Sequence, residues 1–299
     1  MSETPPRVRI APRTLGEILD ASFQVYRKGF VRLLVASLTV NLPVIVVAAL
    51  FAGDAANAMT GYMTALETGM RPNPQEPFRP LMDLMHAMSG LTPLILLTTV
   101  LNAVSRAGVA CAMVPAALAA VRREPIPSLS AIFKMAAPRF PAVLVTQFIF
   151  DASWGFLACC CLPLGLWVSV VFAPAAAIVV LERGPLEASM RRALPRGLAR
   201  LLAPFAAAMD AIVRGLRLSW SFSISARGSV VVFFLLTFVA VFDGAITTPL
   251  SLLDKHSGSW FWAQQAAEAL FLPVFGLGRV MWYFDLLARR EGADLEPAT

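Results

Sequence analysis

Six long apolar stretches, most of them followed by a polar or arginine-bearing segment, leave this chain few ways to fold. A helix needs about 20 mostly apolar residues to cross the ~30 Å hydrocarbon layer of a bilayer. Residues 30–51, 91–121, 140–158, 162–181, 228–248 and 260–284 meet that requirement. The separation of the third stretch from the fourth rests on residues 159–163 forming a tight turn, with Gly155 and Gly165 nearby. Composition agrees: 58% of the 299 residues are hydrophobic and 15% charged, and mean hydropathy is +0.69. A soluble domain has roughly 45–50% apolar and about 25% charged residues. The surplus cannot be hidden in one aqueous core, so the expected class is an all-α, polytopic integral membrane protein. High apolar content excludes disorder, and four cysteines are too few for a disulfide scaffold.

Orientation follows from where the basic residues fall. Five precede the first span: Arg7, Arg9, Arg13, Arg27 and Lys28. The connection after the second holds Arg122, Arg123, Lys134 and Arg139. The connection after the fourth holds Arg183, Arg191, Arg192, Arg196, Arg200, Arg214, Arg217 and Arg227, and the tail has Arg289 and Arg290. The opposite side carries only Arg71, Arg79 and Lys255. Basic loops stay cytoplasmic, so six spans with both termini inside are expected. The net charge of +6 is then a matter of topology, and no nucleic-acid partner is expected. Met1–Lys28 has no apolar signal core, so the first span is expected to act as its own insertion signal. Arginine outnumbers lysine 22 to 3. With abundant alanine, this composition suggests a GC-rich bacterial genome and hence the bacterial inner membrane.

The expected layout is a cytoplasmic segment over 1–29, a membrane domain over 30–286 and a tail over 287–299. An outer loop spans about 52–90, and a basic cytoplasmic connection spans about 182–227. Short helices are expected near 55–68 and 81–88, flanking a Pro-rich stretch.

Two inner segments are amphipathic. Leu15, Ile18, Leu19, Ser22, Tyr26 and Phe30 fall near one helical face. Leu186, Met190, Leu194, Leu198 and Leu201 recur every three or four residues, with Arg192, Arg196 and Arg200 on a neighbouring stripe. That pattern suits helices lying in the headgroup plane, with a kink at Pro195. Arg191, Arg192, Arg196 and Arg200 are the candidate contacts for anionic headgroups, and membrane lipids are the expected partners.

A weak repeat runs through the chain. Thr14-Leu-Gly-Glu-Ile-Leu resembles Ser128-Leu-Ser-Ala-Ile-Phe and, less closely, Pro185-Leu-Glu-Ala-Ser-Met. Each precedes a pair of spans, which reads either as three units or as shared membrane-protein grammar. Small residues at every fourth position, Gly108 to Ala120 in the second span and Gly165 to Ala177 in the fourth, let helix backbones approach closely in lipid.

Four ionisable residues sit deep in the spans: Arg106, Asp151, Asp243 and Glu268. A charge at the bilayer centre costs ~2.5–3.5 kcal/mol even on lenient scales, so each must face the bundle interior, pair or neutralise. Arg106 with Asp151 is a natural pair, and Asp243 with Glu268 can share a proton. Such a set is either a polar cavity or a device that fixes packing. Arg279 and Asp285 lie nearer the end of the sixth span.

No catalytic or metal-binding motif is legible in the sequence. The two histidines, His86 and His256, fall in outer loops, and no H-E-x-x-H, G-x-S-x-G or Walker A pattern occurs. Cys159, Cys160 and Cys161 are consecutive, the wrong spacing for a C-x-x-C zinc site. No enzyme, metal or cofactor is expected.

The two ends of the chain resemble a known family. Arg13-Thr-Leu-Gly-Glu-Ile-Leu-Asp-Ala-Ser-Phe-Gln-Val-Tyr-Arg-Lys-Gly-Phe30 and Trp282-Tyr-Phe-Asp-Leu-Leu-Ala-Arg-Arg-Glu-Gly-Ala-Asp-Leu-Glu296 are similar to the opening and closing segments of the glycerophosphoryl diester phosphodiesterase membrane domain family. Ala211-Ile-Val-Arg-Gly-Leu-Arg-Leu-Ser-Trp220 resembles its central segment. The resemblance implies a bacterial polytopic membrane domain without the separate phosphodiesterase domain, so catalysis is not carried over. It also implies a cytoplasmic cap formed by Tyr283, Asp285, Arg289, Arg290, Glu291 and Gly292, with the two arginines on headgroups and Glu291 on an interfacial helix. The expected function is non-enzymatic: an accessory or organising protein of the inner membrane acting through lipid or protein contacts. The alternative is a transporter or lipid-handling channel. A polar cavity lined by Arg106 and Asp151 would favour transport, and a dry, packed centre would favour the first reading.

Overall fold

The computed structural model of the chain describes residues 8–9, 12–51, 64, 79–221, 224, 226–235, 237, 241, 259–291 and 294–295. These are helical apart from turns and a two-residue antiparallel pairing of β1 (Val8–Arg9) with β2 (Asp294–Leu295). Among the described residues, five helical segments are long and apolar enough to cross a membrane: Phe30–Val47, Thr99–Val121, Leu129–Trp154, Pro163–Leu181 and Ala266–Glu291. A sixth apolar helix, Ala226–Leu235, begins where the fifth expected span begins, and most of the rest of that span lies outside the described residues. The chain is therefore all-helical with the character of a multi-pass membrane protein.

Two units make up the chain. The smaller, residues 41–105, holds the end of α2 (Phe30–Leu50) and the start of α3 (Arg79–Val121). Inside it the Ser105 hydroxyl donates to Asn41 Oδ1. The helix expected near 81–88 is not separate. It is continuous with the span that follows, because leucine, methionine and alanine, all strong helix formers, carry α3 through Gly90 and Pro93. The helix expected near 55–68 lies outside the described residues, apart from Thr64.

The larger unit, residues 1–40 and 106–299, contains the apolar core. It opens with α1 (Leu15–Lys28), started by a capping box in which the Thr14 hydroxyl accepts from Glu17 N–H and the Glu17 carboxylate accepts from Thr14 N–H. The Thr14 N–H first, and its hydroxyl second, bond the Glu17 carboxylate and hold the carboxyl below its usual pKa. Ile18, Ser22, Val25 and Tyr26 are buried on one face. That face docks on α11 (Ser259–Glu291), where the Tyr26 hydroxyl donates to Leu270 O at 2.6 Å. Burial pushes the Tyr26 pKa up to about 12, so it stays a neutral donor. The amphipathic stripe of α1 thus faces protein.

Helix α3 ends on Arg123, which has φ of 59°. Glu124 N–H donates to Ala119 O and Arg123 N–H to Ala120 O, the bond pattern of a Schellman cap. The left-handed position favours glycine, since a Cβ there costs roughly 1–2 kcal/mol. Arg123→Gly is expected to raise stability by about 1 kcal/mol, read as a higher denaturation midpoint in detergent.

Next come α4 (Leu129–Ala136) and α5 (Phe140–Cys160), joined by the 3-10 turn Ala137–Arg139. The Ser128 hydroxyl caps α4, and Ile132 is fully buried. Thr14 and Ile18 hold the same offsets in α1, so the first two units of the apparent repeat share a hydroxyl cap and a buried isoleucine. Cys161 is extended (φ −161°, ψ 107°) and breaks the chain between α5 and α6 (Leu162–Phe172), at the turn expected there. The two helices fold back on each other: Phe150 and Phe172, each eleven residues from Cys161, meet at 5.5 Å between ring centroids.

After Pro174 comes α7 (Ala175–Leu181), followed by α8 (Pro185–Ala193) and α9 (Arg196–Ser219). A single kinked amphipathic helix was expected over this stretch. Instead Leu194 is extended (ψ 150°) and Pro195 caps α9, so the ring ends one helix and the next starts in a new direction. Both small-residue stripes are buried apart from the half-buried Ala120. A Cβ added at Gly108 would overlap Val40 of α2, and one at Gly276 of α11 would meet Met113 Cγ at 3.0 Å. Close approaches of this kind are what small residues permit in lipid.

Candidate functional site

Charged residues gather at two levels of the larger unit. The first level lies midway along the apolar helices. On α3, Arg106 Nη1 is 3.7 Å from Asp151 Oδ1 of α5. One turn before Asp151, Gln147 Nε2 donates to the same oxygen at 2.9 Å. The partners differ in exposure: the Arg106 side chain is 48% exposed and that of Asp151 14%.

A third charge, Arg279 of α11, is buried beside them. In the sequence it lies near the end of the expected sixth span, outside the four expected intramembrane charges. Its Nη2 donates to Phe172 O at 2.9 Å and its Nε to Ala173 O at 3.2 Å. The guanidinium lies 5.5 Å from the Phe275 ring centroid and 6.0 Å from that of Phe150. The cause is local. Pro174 has no N–H and interrupts the ladder between α6 and α7, and the carbonyl end of α6 carries partial negative charge. Arg279 caps that end. The sequence signal for it is a lone arginine in an otherwise apolar run, preceded by Gly276 and Gly278.

Glu268, half-buried, sits eleven residues before Arg279 on α11, about 16 Å along the helix. It does not share the Arg279 level. Asp243 lies outside the described residues, and with it the proposed proton-sharing pair. The space between Arg106, Phe275, Gly276 and Arg279 is only about 10 Å³. One water needs ≳10–15 Å³, so this spot has room for at most one.

The second level is the end of α11 that carries the family-like motif, where nearly every polar group is committed. Asp285, 1% exposed, accepts from Arg13 N–H at 2.6 Å and from Arg289 Nε at 2.7 Å. Arg289 Nη2 then donates to Arg13 O at 2.6 Å. This closes a ring between the N-terminal segment and the last helix. The Tyr283 hydroxyl donates to Glu182 at 2.6 Å, and Arg214 of α9 bridges Glu182 and Glu291. Burial of Arg214 opposes its charge, but the bonds to Glu291 and Glu182 outweigh that cost and raise its pKa. Arg290 donates to the end of α9, at Leu218 O (3.2 Å) and Trp220 O (2.6 Å). The two motif arginines expected on headgroups are therefore bonded to protein, while Glu291 does meet α9. Gly292 lies outside the described residues.

Between α8 and α9 a third set of bonds holds the basic connection together. Glu187, 2% exposed, receives two bonds from Arg139 at 2.9 and 3.0 Å and two from Arg191 at 2.8 and 3.0 Å. Asp210 accepts from the N–H groups of Leu186 and Glu187, capping α8 from a different helix. Of the candidate headgroup contacts, Arg191 is thus ion-paired and Arg192 donates to Ala188 O. Arg196 and Arg200 are exposed without an ion pair among the described residues. Alongside them α9 exposes Leu198, Leu201, Phe205, Met209 and Val213, spaced three or four apart.

Among the described residues no cluster of three or more His, Cys, Asp or Glu side chains could hold a metal ion. No protein family, curated protein or solved structure matches the chain.

Proposed function

We propose that this chain is a six-span protein of a bacterial inner membrane, both termini cytoplasmic, that organises or assists at the membrane through lipid and protein contacts without catalysis. The observation that carries this reading is the mid-depth centre. Arg279 is consumed in capping α6, Asp151 is bonded by Gln147 and faced by Arg106, and the space beside them holds about 10 Å³. Packing, rather than a water-filled path, accounts for the placement of these charges.

The inner-face reading rests on α9. Its exposed apolar row would enter the headgroup boundary, and each arginine near an anionic leaflet contributes ~1 kcal/mol. The basic segments tied together at the end of α11 are those the positive-inside rule holds in the cytoplasm. In this reading the family resemblance extends to a membrane-domain architecture, with the C-terminal motif as its inner clasp.

A cysteine at Val109, in a variant stripped of native cysteines, tests the centre. A membrane-impermeant maleimide is expected to leave it unlabelled from either side. Rapid labelling from one side would overturn the dry-centre reading and favour a transporter or lipid-handling channel. One observation speaks for that alternative: Arg106 is 48% exposed, and two arginines face a single aspartate at mid-depth. Reporter fusions within 182–227 are expected to report cytoplasm, and a periplasmic signal would sink the topology.

A further inference from the structure

We propose that the cleft between the N-terminal segment, α10 (Ala226–Leu235) and α11 is a binding site for one phosphate-bearing anionic amphiphile, a phospholipid of the inner leaflet. It rests on the bilayer reading above but lies apart from the exposed row of α9. The cleft measures about 620 Å³, within the ≈300–1,000 Å³ of sites that hold small ligands.

Its polar side carries Arg13, Arg227, Arg289 and Asp285, which leaves two uncompensated positive charges. Asp285 is already occupied by Arg13 N–H and Arg289, so it does not present a free carboxylate to an incoming anion. Arg289 uses Nε and Nη2 in that ring and keeps its third nitrogen. Arg227 is exposed and has no ion pair among the described residues. Guanidinium groups with open donors suit phosphate oxygens.

The rest of the lining is largely apolar, with Ile18 and Val230 among its residues. A free inorganic anion has no use for such a lining. Arg227, Val230 and Phe234 also follow one another at three and four residues on one face of α10, and Val230 and Phe234 are 44% and 50% exposed. A positive charge therefore stands at one end of an uncovered apolar row. That order matches a lipid with its phosphate at the cleft and an acyl chain along the helix.

The test uses the full chain, purified in detergent and depleted of lipid. Binding of dioleoylphosphatidylglycerol, dioleoylphosphatidylcholine and inorganic phosphate is followed by native mass spectrometry. Wild type is expected to hold phosphatidylglycerol in preference to phosphatidylcholine, with phosphate failing to compete. Arg227→Gln, a change at an exposed position, is expected to weaken that retention ~5-fold, the equivalent of the ~1 kcal/mol that one such charge contributes. Val230→Trp, which fills the cleft, is expected to abolish it. If Val230→Trp does not fold, Arg227→Gln decides alone. Equal retention of the two lipids, or phosphatidylglycerol retention unchanged in Arg227→Gln, overturns the site. Displacement by millimolar phosphate makes the ligand a free anion and overturns the lipid assignment. Failure of the bilayer reading shows separately, as a chain that stays monomeric without detergent.

Discussion

Replacing Asp285 by alanine is expected to destabilise the protein by about 3 kcal/mol, a loss typical of breaking a buried ion pair by removing one partner. The carboxylate side chain is 0% exposed and its partner Arg289 is 21% exposed. Its removal strands a guanidinium in a mostly dry place and leaves Arg13 N–H without an acceptor. Because Arg289 also holds Arg13 O, the N-terminal segment loses its anchor to α11 and the docking of α1 weakens with it. Asp285→Asn keeps shape and one acceptor, so it is expected to cost about half as much. Chemical unfolding in mixed micelles reads both, with Arg200→Gln as an exposed control expected within ±0.5 kcal/mol. A loss for Asp285→Ala no larger than the control would mean that the ring does not hold the two ends together.

The second large effect separates two arginines that look alike in sequence. Arg279→Met is expected to cost on the order of 3 kcal/mol, because Phe172 O and Ala173 O lose their charged donor and an unmet buried polar group costs ≈1–3 kcal/mol. Arg106→Met, at a position 48% exposed and 3.7 Å from its partner, is expected to cost under about 1 kcal/mol. Both variants are unfolded side by side in detergent, and folding yield is scored by gel filtration. Equal costs, or a larger one for Arg106, would contradict the assignment of Arg279 as the cap on α6. Arg279→Lys is expected to recover only part of the loss, since an ammonium lacks the fork that reaches two successive carbonyls.

The two amphipathic stripes illustrate where pattern stops being informative. Ile18 and Tyr26 on α1, and Leu198 and Leu201 on α9, obey the same spacing. Yet Ile18 is 1% exposed and Leu201 69%. Periodicity states that a helix has two unlike faces, and it does not state what covers the apolar one. The same holds for charge. Arg289, Arg290 and Arg200 are equally basic in sequence, yet the first two bond protein oxygens and Arg200 does not pair among the described residues. The Arg106–Asp151 proximity was legible because two opposite charges in apolar runs must find partners. Arg279 was not, because its partners are backbone carbonyls, which carry no mark in a sequence.

What the sequence determined by itself is the class: apolar runs of span length, the break around Cys161 and a lopsided distribution of arginine. Each is additive along the chain, since the cost of placing a residue in oil depends mainly on that residue. The tertiary structure alone decided which charges are used up, which helical face is covered and how the termini meet. Those outcomes depend on groups as far apart as Arg13 and Arg289, 276 residues distant in the chain, and no local rule links such positions until folding puts them side by side.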